Sequence, residues 1–212
     1  TRIPSSAPSD VYKRQSIDSW DEMDKSLKDG FKKIENYDNK IIFGHSIGAL
    51  VAVHGILNNV INPDYLILTA PTFQVNYPEF LKKLAKPLSS LAPNLRSFSN
   101  VTKNNLTNDK DVVKNYFNDP LVFRSITFRA GYEIIKAQDY VNSNIKNLNI
   151  ETLVLHGEND TISPIQGSLE LSKLENVKYI KVENSKHEIL NQDTRMYALS
   201  EIHEWLKIKS LV

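Results

Sequence analysis

Residues 40–57 read KIIFGHSIGALVAVHGIL. Lys40 to Phe43 is a short apolar run of the kind that forms a buried strand. Ile47 to Leu57 is apolar, rich in small residues and long enough for a helix. Between them, Gly44-His45-Ser46-Ile47-Gly48 fits the pattern G-x-S-x-G. A serine at a strand-to-helix junction sits on a sharp, strained turn. The turn packs close to its neighbours, so Gly44 and Gly48 are both expected for steric reasons. His45 fills the variable slot and is expected to point elsewhere. Such a turn lifts the hydroxyl above the C-terminal edge of a sheet, facing the N–H groups at a helix start. One of these, on Ile47, can donate to a developing oxyanion. The five residues alone also fit an ordinary tight turn, and the flanking strand and helix are what give them weight.

Before this stretch, Ser16 to Tyr37 shows apolar residues at three- and four-residue spacing and predicts a helix. Tyr65 to Thr69 (YLILT) predicts a strand, so the order here is helix, strand, helix, strand. That order marks a parallel sheet with crossover helices. Thr72 to roughly Thr127 is rich in Asn, Ser and Pro, shows no alternating strand pattern, and reads as an insertion between sheet strands. Within it, Glu79 to Leu91 is amphipathic, and Pro87 should kink or end it as a helix. Further on, Arg129 to Val141 predicts a helix and Glu151 to His156 a strand. Ile165 to Leu174 predicts a helix, Lys178 to Val182 a strand and Arg195 to Lys207 a closing helix.

A serine hydroxyl is a weak nucleophile that needs a base, and the base needs an orienting acid. In this architecture the acid and then the histidine follow the serine, on loops after later strands. Asp160 lies just past the strand ending near Leu155, with Glu158 as a nearby rival. His187 lies five residues past Val182. Each candidate therefore falls beyond the C-terminal end of a successive strand, where open parallel sheets build their sites. Of the other histidines, His54 and His203 fall within helices and read as structural, and His156 reads as shaping the acid loop. No set of His and carboxylates has a recognisable ligand spacing, so neither a metal nor a cofactor is predicted.

The 212 residues suffice for one domain with a real core, and 41% hydrophobic with 24% charged residues is ordinary for a globular protein. The net charge of +1 builds no strong field for nucleic acid. The absence of cysteine excludes a thiol nucleophile and a disulfide framework and fits a cytoplasmic protein. Residues 1–15 are Ser- and Pro-rich without periodicity and predict disorder. They resemble a translated sequencing adapter and are set apart from the domain at 16–212, with a genuine flexible tail as the alternative.

The separated stretches IIFGHSIGAL (41–50), LILTAP (66–71), NYFNDPLVF (115–123), LVLHGENDTISP (153–164) and SKHEILNQ (185–192) resemble the monoacylglycerol lipase and lysophospholipase group of α/β-hydrolases, also labelled serine aminopeptidase-like. The resemblance spans roughly residues 16–208. It implies that Ser46, Asp160 and His187 form a catalytic triad, that Ile47 supplies an oxyanion N–H, and that residues 72–127 cap an apolar acyl pocket. It also implies further strands and a His-Gly loop before the nucleophile, which here follows only 45 residues. The chain is thus expected to be N-terminally truncated, to lack one oxyanion donor and to expose a sheet edge. A donor lost in this way costs about 10²–10³ in turnover, so a weak or unstable fragment of an active parent is expected.

The expected substrate is a single-chain lipid ester, monoacylglycerol first and lysophospholipid second. A generic carboxylesterase or a peptidase is also open, because a triad does not set the substrate. Phe80, Leu81, Leu84 and Leu88, with Lys82, Lys83 and Lys86 beside them, either pack onto the acyl pocket or touch a membrane surface. A catalytically silent binding protein would have lost one of the three site residues, and all are present. An Asp nucleophile would be needed at position 46 for a haloalkane dehalogenase. A P-loop would need Gly-Lys-Ser/Thr, which the turn lacks.

Overall fold

The computed structural model describes residues 17–75, 79–98, 100–122 and 124–212. The expected tail at 1–15 lies outside the described residues. Four strands form one parallel sheet: β1 (Ile41–His45), β2 (Tyr65–Thr69), β5 (Glu151–Gly157) and β6 (Val177–Val182), side by side in the order β1-β2-β5-β6. The register pairs Ile41 with Tyr65, Tyr65 with Glu151 and Thr152 with Val177. The strands are apolar on successive residues because both faces are covered. Leu66, Leu68 and Val154 enter a core with Leu50, Val53 and Val141 on one side. Ile67, Leu153 and Leu155 enter a second core on the other, with Trp205 and Ala198.

Helix α1 (Asp21–Phe31) packs on α2 (Ile47–Leu57), which lies on the first face beside α5 (Phe128–Asn144). Helix α2 can be small and apolar throughout because it is enclosed, with Ala49, Leu50, Ala52, Val53 and Gly55 buried. The closing helix α6 (Arg195–Ile208) covers the second face. Between β2 and α5 the chain forms α3 (Glu79–Leu91), β3 (Arg96–Phe98), α4 (Lys110–Asn118) and β4 (Ser125–Thr127). Strands β3 and β4 pair antiparallel, apart from the main sheet. Asp109 starts α4 by accepting from the N–H groups of Asp111 and Val112. Among the described residues β1 pairs only with β2, and Phe43 on it is half exposed.

Four expectations need correction. Helix α1 is shorter than Ser16 to Tyr37 at both ends: residues 17–20 are not helical, and 32–36 form turns rather than continuing it. Pro87 does not end α3, which runs on to Leu91; the Ser89 and Ser90 hydroxyls both donate to the carbonyl of Lys86. The helix expected at Ile165–Leu174 is instead two short 3₁₀ turns, Ile165–Gly167 and Leu169–Lys173, broken where Gly167 packs against Gln74. The insertion does contain strands, but β3 and β4 have three residues each, too few to show alternation.

Candidate active site

Ser46 follows β1 directly and begins α2 with φ 54° and ψ −121°. This is strained backbone for a side chain other than glycine, and such strain clusters at functional sites. The surrounding contacts hold it: the Ser46 N–H donates to Thr69 O at 3.0 Å, and its carbonyl accepts from Ala49 N–H at 3.1 Å. A Cβ on Gly44 would come within 2.7 Å of the Ala49 Cα, so the elbow closes only with glycine there. The steric reason expected for Gly48 is absent: a Cβ there would meet nothing within 4 Å among the described residues. The strand, the turn and the helix start are thus assembled as one unit around the serine.

The Ser46 Oγ stands 2.9 Å from His187 Nε2, and His187 Nδ1 stands 2.8 Å from Asp160 Oδ2. These three side chains come from loops after β1, β5 and β6, separated in sequence by as many as 141 positions. Asp160 and His187 are buried. Asp160 is fixed further by the N–H groups of Ile162 and Ser163, both donating to Oδ1 at 2.9 Å. Burial by itself would push the Asp160 carboxyl up. Hydrogen bonds from His156, His187 and the Ser163 N–H, with the charge of His187, outweigh it and hold the group at about 2. The carboxylate is therefore ionised throughout the neutral range. The rival Glu158 pairs instead with Lys181 at 2.6 Å on the surface.

Ser46, Ile47 and His187 share the wall of a cavity of about 500 Å³. Its other walls are mostly apolar: Ile17 and Met23 from the N-terminal side, Ile126, Ala130 and Ile134 from β4 and α5, and Leu106 from the insertion. The size and the mixture of an apolar lining with a few converging polar groups suit a small organic ligand. Ile47 is at the first position of α2, where helix geometry leaves its N–H without an intrahelical acceptor.

His45 does not point away from the site. It lines the same cavity, its ring 5.1 Å from that of His187, with Nδ1 2.9 Å from Thr69 Oγ1 and Nε2 3.4 Å from Glu188 Oε1. The side chain of Glu188, which sequence reasoning passed over, also faces the cavity. The neighbouring His45 imidazole holds its carboxyl low, and with a hydrogen bond from Asn191 it outweighs burial, leaving the group at about 2. His156 is fully buried and does shape the acid loop. Its Nε2 lies 2.8 Å from Ser163 O and 3.3 Å from Asp160 Oδ2, and its Nδ1 lies 2.7 Å from Ser168 Oγ. His54 is packed between Trp20 and Tyr140 and meets Asp24 at 3.1 Å. His203 is exposed on α6 rather than packed.

A parallel sheet covered by helices on both faces, with a serine elbow leaving its first strand, defines an α/β-hydrolase fold. Residues 8–194 match the family described as serine aminopeptidase, S33, and the chain belongs to that hydrolase family. It is 28% identical over 172 residues to a monoglyceride lipase homolog of monkeypox virus, an alignment covering 78% of this chain and 62% of that one. The chain thus spans less than two thirds of that relative's length. Among solved structures it is similar to a monoacylglycerol lipase of Paleococcus ferrophilus. There the TM-score is 0.77 at 24% identity, over 87% of this chain and 74% of the other. A soluble variant of monoglyceride lipase from Saccharomyces cerevisiae gives a TM-score of 0.71 at 16% identity, over 89% and 68%. A carboxyl esterase from Bacillus coagulans gives 0.69 at 16%, over 90% and 70%. At these identities the structural likeness establishes the fold.

Proposed function

We propose that the chain is a serine ester hydrolase of monoacylglycerol lipase type, cleaving single-chain lipid esters through an acyl-enzyme on Ser46. The observation that carries this reading is the unbroken hydrogen-bond path Ser46–His187–Asp160 at the wall of a largely apolar cavity. His187 takes the Ser46 proton as Oγ attacks the ester carbonyl, and Asp160 holds the ring through Nδ1 and stabilises the imidazolium that forms. The N–H of Ile47 donates to the carbonyl oxygen as it becomes negative. The same imidazole then protonates the leaving alcohol, and water repeats the sequence to release the fatty acid.

The apolar walls favour an acyl chain over a peptide. The ionised Glu188 beside His187 favours a neutral glycerol leaving group over an anionic phosphate, which supports the reading of monoacylglycerol ahead of lysophospholipid. We assign residues 72–127 to a cap that covers the acyl chain. On its helix α3, Leu88 and Ala85 line a small inner cavity, whereas Phe80 and Leu84 are 62% and 46% exposed near the exposed Lys83 and Lys86. That outer face suits brief contact with a lipid surface.

Labelling with a fluorophosphonate probe beside a Ser46→Ala control tests the mechanism, and hydrolysis of monoacylglycerol against lysophospholipid and an aminopeptidase substrate tests the specificity. Labelling lost in the control, with monoacylglycerol the best substrate, is the expected result. A protein that stays unlabelled even when extended to the length of its relatives would count against the proposed nucleophile, and preferred peptide cleavage against the lipid ester.

A further inference from the structure

Ser46 has a second side-chain neighbour, and this one is a hydroxyl. Thr72, three residues beyond the end of β2, brings Oγ1 to 3.1 Å from Ser46 Oγ and to 2.7 Å from Ser163 Oγ. Thr72 is 5% exposed and Ser163 is fully enclosed. The Thr72 backbone is held at both ends: its N–H donates to Ser46 O at 3.3 Å and its carbonyl accepts from Gln138 Nε2 at 2.9 Å. The chain reaches this position through Ala70, whose φ of 45° is strained for a residue with a Cβ and whose N–H donates to Leu155 O. Strain, burial and four hydrogen bonds therefore converge on one threonine beside the nucleophile.

Proton counting sets the direction of these bonds. Each hydroxyl has one proton to donate. When Ser46 donates to His187 Nε2, its oxygen is left to accept, and Thr72 is the donor that faces it. Thr72 then has no proton for Ser163, so Ser163 donates to Thr72. The Ser163 N–H donates to Asp160 Oδ1, which closes a ring: Asp160, Ser163, Thr72, Ser46, His187 and back to Asp160. His156 Nε2 holds the Ser163 carbonyl and so anchors the ring from outside.

We propose that Thr72 is a hydrogen-bond donor to the nucleophile and Ser163 the positioning residue that sets its direction. This inference rests on Ser46 being the nucleophile. In the resting site the Thr72 hydroxyl keeps Ser46 Oγ within reach of His187. As Ser46 gives up its proton, negative charge grows on Oγ, and a donor already aimed at that oxygen strengthens without reorganisation. The chain thus carries a second polar support for its serine, on the loop after the neighbouring strand.

The experiment compares Thr72→Val, which keeps the shape and deletes the hydroxyl, with Thr72→Ser, which keeps the hydroxyl, and with Ser163→Ala. Each is followed by fluorophosphonate labelling rate, by kcat and KM for a monoacylglycerol, and by Tm. The expected result is a drop of about tenfold in labelling rate and kcat for Thr72→Val, with KM within about twofold. Thr72→Ser should recover most of the rate, and Ser163→Ala should fall in between. A Thr72→Val protein that labels as fast as the unmodified chain overturns the inference and leaves the Ser46 reading standing. Equal damage in Thr72→Val and Thr72→Ser, with KM raised in both, also overturns it and makes the residue a packing element. A protein that does not label, either as it stands or extended to the length of its relatives, removes the nucleophile, and the inference falls with it. Should Thr72→Val fail to fold, Ser163→Ala decides between the same outcomes.

Discussion

His156 brings Nε2 to 3.3 Å from Asp160 Oδ2, the same carboxylate oxygen that faces His187 Nδ1 at 2.8 Å. One carboxylate therefore meets two imidazoles, one facing Ser46 and one enclosed. Because Nε2 of His156 also reaches the Ser163 carbonyl, which can only accept, that nitrogen carries a proton, while Nδ1 lies 2.7 Å from Ser168 Oγ, whose hydroxyl also donates to Ile165 O. Ser168 in turn meets the Tyr179 hydroxyl at 2.7 Å, so the acid loop is tied to β6.

Replacing His156 by Leu should leave the Ser163 carbonyl without its donor and Asp160 with one hydrogen bond fewer. We expect a stability loss of about 1–3 kcal/mol in urea unfolding and a lower kcat, with little change in KM. Loss of stability without any loss of kcat would separate the acid loop from the chemistry.

Gly157 ends β5 under the backbone of the His187 loop. A Cβ there would lie within 2.6 Å of Ser185 O and collide with Lys186 O. Gly157→Ala should push the two loops apart, cost about 1–3 kcal/mol and slow fluorophosphonate labelling. Wild-type labelling by this variant would show that the loops tolerate separation.

At the elbow, Gly44→Ala and Gly48→Ala should behave differently. The first forces a Cβ against the backbone of α2, whereas the second meets open space among the described residues. Thermal unfolding of the two variants checks this: a marked fall in Tm for Gly44→Ala and little change for Gly48→Ala.

Acid should unfold the protein through its site. Asp160 and Glu188 are each held at about 2, below their ordinary 3.8 and 4.5. A carboxyl depressed in the folded state contributes stability that is present above its unfolded value and is lost as pH falls toward the folded one. The window is therefore about pH 4.5 to 2, and for Asp160 the contribution is about 2 kcal/mol at neutral pH. Urea midpoints measured across that range should fall steeply for the unmodified chain and less steeply for Asp160→Asn.

Glu188→Gln removes a negative charge from the cavity wall beside His187. The ratio of kcat/KM for a lysophospholipid with an anionic headgroup to that for monoacylglycerol should rise severalfold. An unchanged ratio would mean that the leaving group does not approach Glu188.

The elements around the elbow were readable because their signals are local. KIIF, Ile47–Leu57 and YLILT each express one buried element in consecutive residues, and the structure places strands and a helix there with shifts of a residue or two. Ser46, Asp160 and His187 could be picked out as candidates because each follows a strand whose end the sequence marks. Strands β3 and β4 were not, since three residues hold no period. The 3₁₀ turns after Pro164 were not either, because the contact of Gly167 with Gln74 spans almost a hundred positions.

The parallel α/β plan and the three chemically capable side chains were legible along the chain, because hydrophobic period and strand-end position are properties of neighbouring residues. The company those side chains keep follows from the folded chain alone. Thr72 beside Ser46, His156 beneath Asp160, Glu188 against His45 and Gly157 under Ser185 join loops from different strands. Hydrogen bonds and steric contacts act over a few ångströms in space, and no pattern along the chain records which distant loops the sheet will bring together.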